Sequence, residues 1–204
     1  MATDEKNGVC PHLPSSAEIV SAHDDAHKGS AFGRTTPLWE AIADNHRYNC
    51  ALWAEEDLAR RRNVPDAEIA KNKRAIDGFN QKRNDAIERM DEHLLANLAS
   101  VNRKQGARLS SETAGGMIDR LSILSLKIHH MGLQTQRTDV DKKHIETCQG
   151  KLERLREQRA DLAACLDRLL AEAARGESYF KVYRQFKMYN DPTTNPALYN
   201  ERGT

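Results

Sequence analysis

The chain has 204 residues, 39% hydrophobic and 30% charged, and its 31 basic and 30 acidic residues leave a formal net charge of +1. That length fits one domain with short tails and suffices to bury a core. The charge balance argues against nucleic acid or an anionic membrane as the main partner. No run is apolar enough to span a bilayer, and the first residues lack the apolar core of a signal peptide. Cys10, Cys50, Cys148 and Cys165 form no C-x-x-C pair. The expectation is therefore a soluble protein of the reducing cytoplasm.

Residues 1–35 read as a loose arm followed by a short helix from Ser16 to about His27 and a glycine-bearing connector. Thr36 as N-cap with Pro37 at the first helical position starts the next helix, which should run to about Arg62. Asn63-Val64-Pro65-Asp66 breaks it. A long helix then extends from Asp66 to about Val101, interrupted in composition only by Gly78. A loop leads to a helix over about Gly116 to Gln136. Thr138 or Asp139 caps the last long helix, which ends near Gly176, so that residues 36–177 form a helical bundle. In 178–204, Tyr179, Phe180, Tyr183, Phe186, Tyr189 and Tyr199 hold most of the aromatics, and Pro192 and Pro196 forbid a continuous helix. A short helix to about Tyr189 and an extended tail packed back on the bundle are expected, with an exposed partner-binding tail as the alternative.

Ile145, Cys148, Leu152, Leu155, Leu162, Leu166 and Leu169 follow the three-four spacing of a bundle seam, and Ile76, Phe79, Ile87, Met90 and Leu94 repeat it. Cys148 and Cys165 fall on the apolar stripe of their helix. Arg159 and Arg83 sit in these two stripes, and each must snorkel or find a carboxylate. The fold class is therefore all-α: an antiparallel bundle of four to five helices around a partly polar core.

Three constellations carry possible chemistry. Trp39, His46, Trp53 and Arg60 recur every seven residues, with Ile42, Asn49 and Glu56 on the adjacent stripe and Asp57 one turn beyond Trp53. This face is either a core with a polar rim or the wall of a pocket with aromatic sides. Asp77, Asn80, Asn84, Glu88 and Asp91 form a second polar stripe. It reads as a solvated face, as carboxylates with arginine partners, or as oxygen ligands suited to Mg²⁺ or Mn²⁺. The loop from Ser110 to Gly116, with Glu112 and Thr113, opens a helix carrying Asp119, Arg120, Ser122 and Lys127. It is an ordinary helix start or a seat for phosphate or carboxylate. His129 and His130 are adjacent and so point in different directions. No P-loop, dinucleotide fingerprint, nucleophile elbow or H-E-x-x-H is present.

His46-x-x-Asn49-x-x-Leu52-Trp53-x-x-Glu56-Asp57-x-x-Arg60 resembles a signature of the bacterial domain of unknown function 4254 family. So do Ile76-Asp77-x-x-Asn80-Gln81-x-Arg83-Asn84-Asp85-x-Ile87-Glu88-x-x-Asp91 and Ser111-Glu112-Thr113 followed by Asp119-Arg120-Leu121-Ser122. The ending Tyr183-Arg184-Gln185-Phe186-Lys187-Met188-Tyr189-Asn190-Asp191-Pro192 also fits. The chain departs from the family pattern at Ala114 and Gly116, where Pro and Ser are favoured. The resemblance implies a setting near glycosyltransferases for lipopolysaccharide-type glycans, and no assigned activity.

Two functions follow as expectations. The first is an accessory factor of cell-envelope glycan synthesis that binds a glycosyltransferase or a sugar nucleotide through Asn49, Trp53, Arg60, Arg83 and their neighbours. The second is a hydrolase or transferase of sugar nucleotides or phosphorylated sugars. Its Glu56, Asp57, Glu88 and Asp91 would hold Mg²⁺ or Mn²⁺, His46 or a spare carboxylate would act as general base, and Arg83, Arg120 or Lys127 would neutralise phosphate. Glu88-x-x-Asp91 is similar to half of the carboxylate signature of all-α nucleotide pyrophosphohydrolases, whose other half is unmatched. Convergence of Glu56 or Asp57 with Glu88 or Asp91 within about 5 Å favours the hydrolase, whereas pairing of each with Arg83, Arg159 or another arginine makes the polar interior architectural.

Overall fold

The computed structural model describes residues 12–200. The expected arm, and Cys10 with it, lies largely outside the described residues. Five helices build the bundle: α1 (Ser16–Ala26), α2 (Pro37–Leu58), α3 (Asp66–Asn97), α4 (Ala114–Thr135) and α5 (Lys142–Ala174). A short α6 (Pro196–Asn200) follows in the tail. Among the described residues no helix is long and apolar enough to cross a membrane.

The helix starts are written in side chains. Ser15 and Glu18 form a reciprocal capping box on α1. Thr36 accepts from the Trp39 amide ahead of Pro37, and Thr113 accepts from the Gly116 amide at 3.1 Å. Asp141, not Thr138 or Asp139, caps α5 by accepting from the His144 amide at 2.7 Å. The second helix ends at Leu58, a turn earlier than expected; Ala59–Arg61 continue in turns held by single backbone bonds.

α2 packs against α3 as one hairpin and α4 against α5 as another, while α4 also touches α1, α2 and α3. The core lies around this central helix, where Ile42, Met90, Leu94, Ile118, Leu121 and Leu166 are fully enclosed. Both seam arginines find carboxylates. Arg159 on α5 donates to both oxygens of Asp24 on α1, at 2.7 and 2.9 Å. Arg83 on α3 lies 3.4 Å from Asp119 on α4, an ion pair whose Nε–H has no aligned hydrogen-bond acceptor among the described residues.

The chain after α5 departs from the expected helix. β1 (Arg108–Leu109) and β2 (Ser178–Tyr179) pair in parallel, Arg108 opposite Ser178. The expected helix over 178–189 is thus replaced by extended chain, with a single 3₁₀ turn at Met188–Asn190. Gly176 makes the turn into β2 with φ +70°, and a Cβ there would stand 2.3 Å from the Asn102 carbonyl oxygen. Phe180 is buried, but beyond Val182 the tail is held by ion pairs: Arg184 bonds Glu88 at 2.6 Å and also pairs with Glu92. Phe186, Met188 and Tyr189 stand exposed. The apolar stripe of α5 also excludes one expected member, because Cys165 faces solvent while Cys148 is buried.

Candidate functional site

The seven-residue stripe on α2 runs from inside to outside. Trp39 and His46 are buried, Trp53 is half-buried and Arg60 is exposed. Its inner end meets α1 and α4 in a polar interior, and its outer end forms a groove.

In the interior, Asp119 Oδ1 accepts from the side-chain amides of Asn45 at 2.9 Å and Asn49 at 3.0 Å. Asn49 also donates to Ser122 Oγ at 3.0 Å, and Ser122 Oγ lies 2.8 Å from His46 Nδ1. Every member is buried, so each polar atom lacking a partner would cost about 1–3 kcal/mol. Around His46 gather further imidazoles: His23 stacks on it at 4.6 Å, and His27 meets it edge-on at 5.0 Å. His129 stacks on His27 at 4.5 Å. Loss of solvent lowers the His46 imidazole to about 4, aided by repulsion from His27. His23 is lowered well below the usual histidine value for the same reason.

At the groove, Trp53 stacks on His130 at 4.4 Å with their planes 6° apart. His129 stacks on His27 and His130 on Trp53, and the two adjacent rings meet edge-to-face at 5.3 Å. A cavity of about 620 Å³ opens beside Trp53, bordered by Asp57, Lys127, Lys151 and Arg154. A second, of about 410 Å³, shares Trp53 and Asp57 and is bordered by Arg60 and Arg83. Glu56 on this side is held by Arg60 at 2.6 Å. The combined groove therefore offers an aromatic face with a surplus of cations, within the size range of small-molecule sites.

The acidic residues expected to bind a divalent cation are not assembled. Glu56 bonds Arg60, Glu88 bonds Arg184, and Asp91 accepts the Gly115 amide at 2.7 Å. Among the described residues no three of Glu56, Asp57, Glu88 and Asp91 bring their oxygens together around one ion. The arginine partners that the sequence allowed for Glu56 and Glu88 are present, and Asp91 spends its charge on a backbone amide. His46 likewise lines neither part of the groove and is not brought to Glu56 and Asp57 as a general base.

The expected anion seat at the start of α4 is filled from within. Asp91 takes the Gly115 amide and Thr113 the Gly116 amide, while Glu112 pairs with Arg120. Asp77 is exposed, Asn80 lies 3.5 Å from Arg83, and Asn84 is buried in α3. Of the expected ligand-binding residues, Trp53, Arg60, Arg83 and Lys127 line the groove, and Asn49 borders it from the polar interior.

Sequence reasoning missed Lys151 and Arg154, which α5 brings to Trp53, and the histidines of α1. It also passed over one readable signal: His46 and Cys50 stand four apart on one helix, a spacing that aims two ligands to the same side.

These features define an all-α bundle with a hydrogen-bonded, imidazole-lined interior and a cationic groove built on a tryptophan. Residues 39–182 match the family described as Protein of unknown function (DUF4254), and the chain belongs to that family. No curated protein matches the chain, and no solved structure does.

Proposed function

We propose that the protein binds a sugar nucleotide or phosphorylated sugar and acts as an accessory factor in cell-envelope glycan synthesis. The observation that carries this reading is the groove at Trp53. Its indole and the stacked His130 ring offer a flat apolar surface for a base or a sugar ring. Lys127, Lys151 and Arg154 on one side and Arg83 on the other supply the charge that a phosphate or diphosphate needs. The glycan setting rests on the family resemblance, and a glycosyltransferase is the protein partner that this setting favours.

Tryptophan fluorescence tests the reading directly. Trp39 is buried and Trp53 lines the groove, so a Trp39→Phe chain reports on Trp53 alone. Titration with uridine-, guanosine- and cytidine-linked sugars and with sugar 1-phosphates should quench this emission saturably for at least one class. Absence of quenching by every class, with calorimetry also silent, would sink the proposal.

A further inference from the structure

We propose that His27, His46 and Cys50 form a binding site for a zinc-type transition-metal ion inside the bundle, between the end of α1 and the middle of α2. One ring nitrogen of His27, one of His46 and the Cys50 thiol sulfur all lie within 4.8 Å of one another. Ligand atoms around a four-coordinate zinc stand roughly 3.3–3.6 Å apart, given bond lengths of about 2.0–2.3 Å. Small side-chain rotations therefore close this trio on one ion.

The second observation is independent of that convergence. His46 is 2% exposed, and its Nε2 has no hydrogen-bond partner among the described residues; nor does Nε2 of His27. Buried ring nitrogens normally find a donor or acceptor, and leaving one without costs about 1–3 kcal/mol. Two imidazoles with unpartnered nitrogens beside one thiol sulfur are what a metal satisfies. The other nitrogen of His46 is already engaged. Nδ1 lies 2.8 Å from Ser122 Oγ, and Ser122 is held by the Asn49 amide. With Nδ1–H donating to Ser122, the Nε2 lone pair is free and the ring is fixed in direction, as the outer shell of a metal site requires.

The donor set selects the ion. Two imidazoles and a thiolate suit zinc and disfavour the oxygen-seeking Mg²⁺ and Mn²⁺. Three protein ligands leave a fourth position for water or a small ligand. His23, stacked on His46, and Phe32, tilted against it at 5.9 Å, wall the site with rings.

A competing pair must be separated in the test, because Cys148 Sγ lies 3.4 Å from His144 Nε2 on α5. The full chain, stripped with chelator, is titrated with Co²⁺ alone. The expected result is one ion per chain, with the intense visible bands of a four-coordinate ion, a sulfur-to-cobalt charge-transfer band, and bleaching of both by Zn²⁺. Cys50→Ser should abolish the charge-transfer band, and Cys148→Ser should leave it intact. His27→Gln, at the half-buried end of α1, should weaken Zn²⁺ binding by at least the 10–100-fold that outer-shell changes cost. Circular dichroism confirms that each variant is folded, and His27→Gln decides the matter should Cys50→Ser unfold. Weak octahedral spectra, or a charge-transfer band lost in Cys148→Ser and kept in Cys50→Ser, would overturn the proposal. So would unchanged Zn²⁺ affinity in His27→Gln.

Discussion

Asp91, enclosed in α3, takes the backbone N–H of Gly115 at 2.7 Å, so a side chain on one helix caps the start of another. The approach is close enough that a Cβ on Gly115 would meet the Ile87 carbonyl oxygen at 2.7 Å and Asp91 Oδ1 at 2.8 Å. Neither neighbour is the free end of a flexible side chain. Gly115→Ala should therefore destabilise the fold by about 1–3 kcal/mol, the range for overpacking. Urea unfolding followed by circular dichroism checks this, and an unchanged midpoint would show that the two helices separate easily.

The same contact carries a pH dependence. Burial pushes the Asp91 carboxyl up to about 6, against the lowering effect of its bonds to Thr113 and the Gly115 amide. Between its unfolded value of 3.8 and about 6 the folded chain holds the proton more tightly. This contribution to stability is thus fully present below 3.8, declines as pH rises, and is gone above about 6. Asp91→Asn removes the titration. The stability of wild type minus that of the variant should fall by on the order of 2–3 kcal/mol from pH 4 to pH 7. Paired urea melts at those two values read it, and a constant difference would refute it.

Arg159 and Asp24 predict an asymmetry. Asp24 also accepts the Ser125 hydroxyl at 2.5 Å, so it serves two donors while Arg159 has this one carboxylate. Asp24→Ala should cost more than Arg159→Met, because it strands a half-buried guanidinium and a hydroxyl, whereas methionine refills the apolar volume of the arginine stem. With the pair partly solvated, the expected difference is about 1 kcal/mol. Thermal melts of the two variants decide the order.

In the groove, Lys127→Ala with Lys151→Ala should leave the melting temperature nearly unchanged, since both side chains are exposed. Affinity for the phosphorylated ligand found by the fluorescence titration should fall at least about tenfold, and wild-type affinity should weaken with added salt. Salt-independent binding, equal in the variant, would place the ligand elsewhere.

Much of this architecture could be read from the residues themselves. Thr36-Pro37 starts a helix because one side chain caps it and the other has its backbone angle preset. Arginines in apolar seams demanded carboxylates and found Asp24 and Asp119. The family words fall on the polar interior and the groove, at His46, Asn49, Trp53, Arg83 and Asp119. What stayed hidden depends on elements distant in sequence. Glu88 and Asp91 look alike on a helix wheel, yet one meets the tail's Arg184 and the other the amide of Gly115. The tail itself was misread because Ser178 and Tyr179 obey a strand partner at Arg108 and Leu109 rather than their own local preference. His27 closes on Cys50 only once α1 is packed against α4 and α5.

The parallel pairing of β1 with β2 ties off the α4–α5 hairpin at its open end, opposite the turn that joins the two helices. The segment from Arg108 to Tyr179 is thus a closed ring of chain whose beginning and finish lie side by side. Neither helix can drift from the other without unzipping the ladder, and the ladder has no partner once either helix leaves. In native-state hydrogen exchange, α4, α5 and the amides of Arg108 and Ser110, which bond the Glu177 and Tyr179 carbonyls, should open together as one cooperative unit.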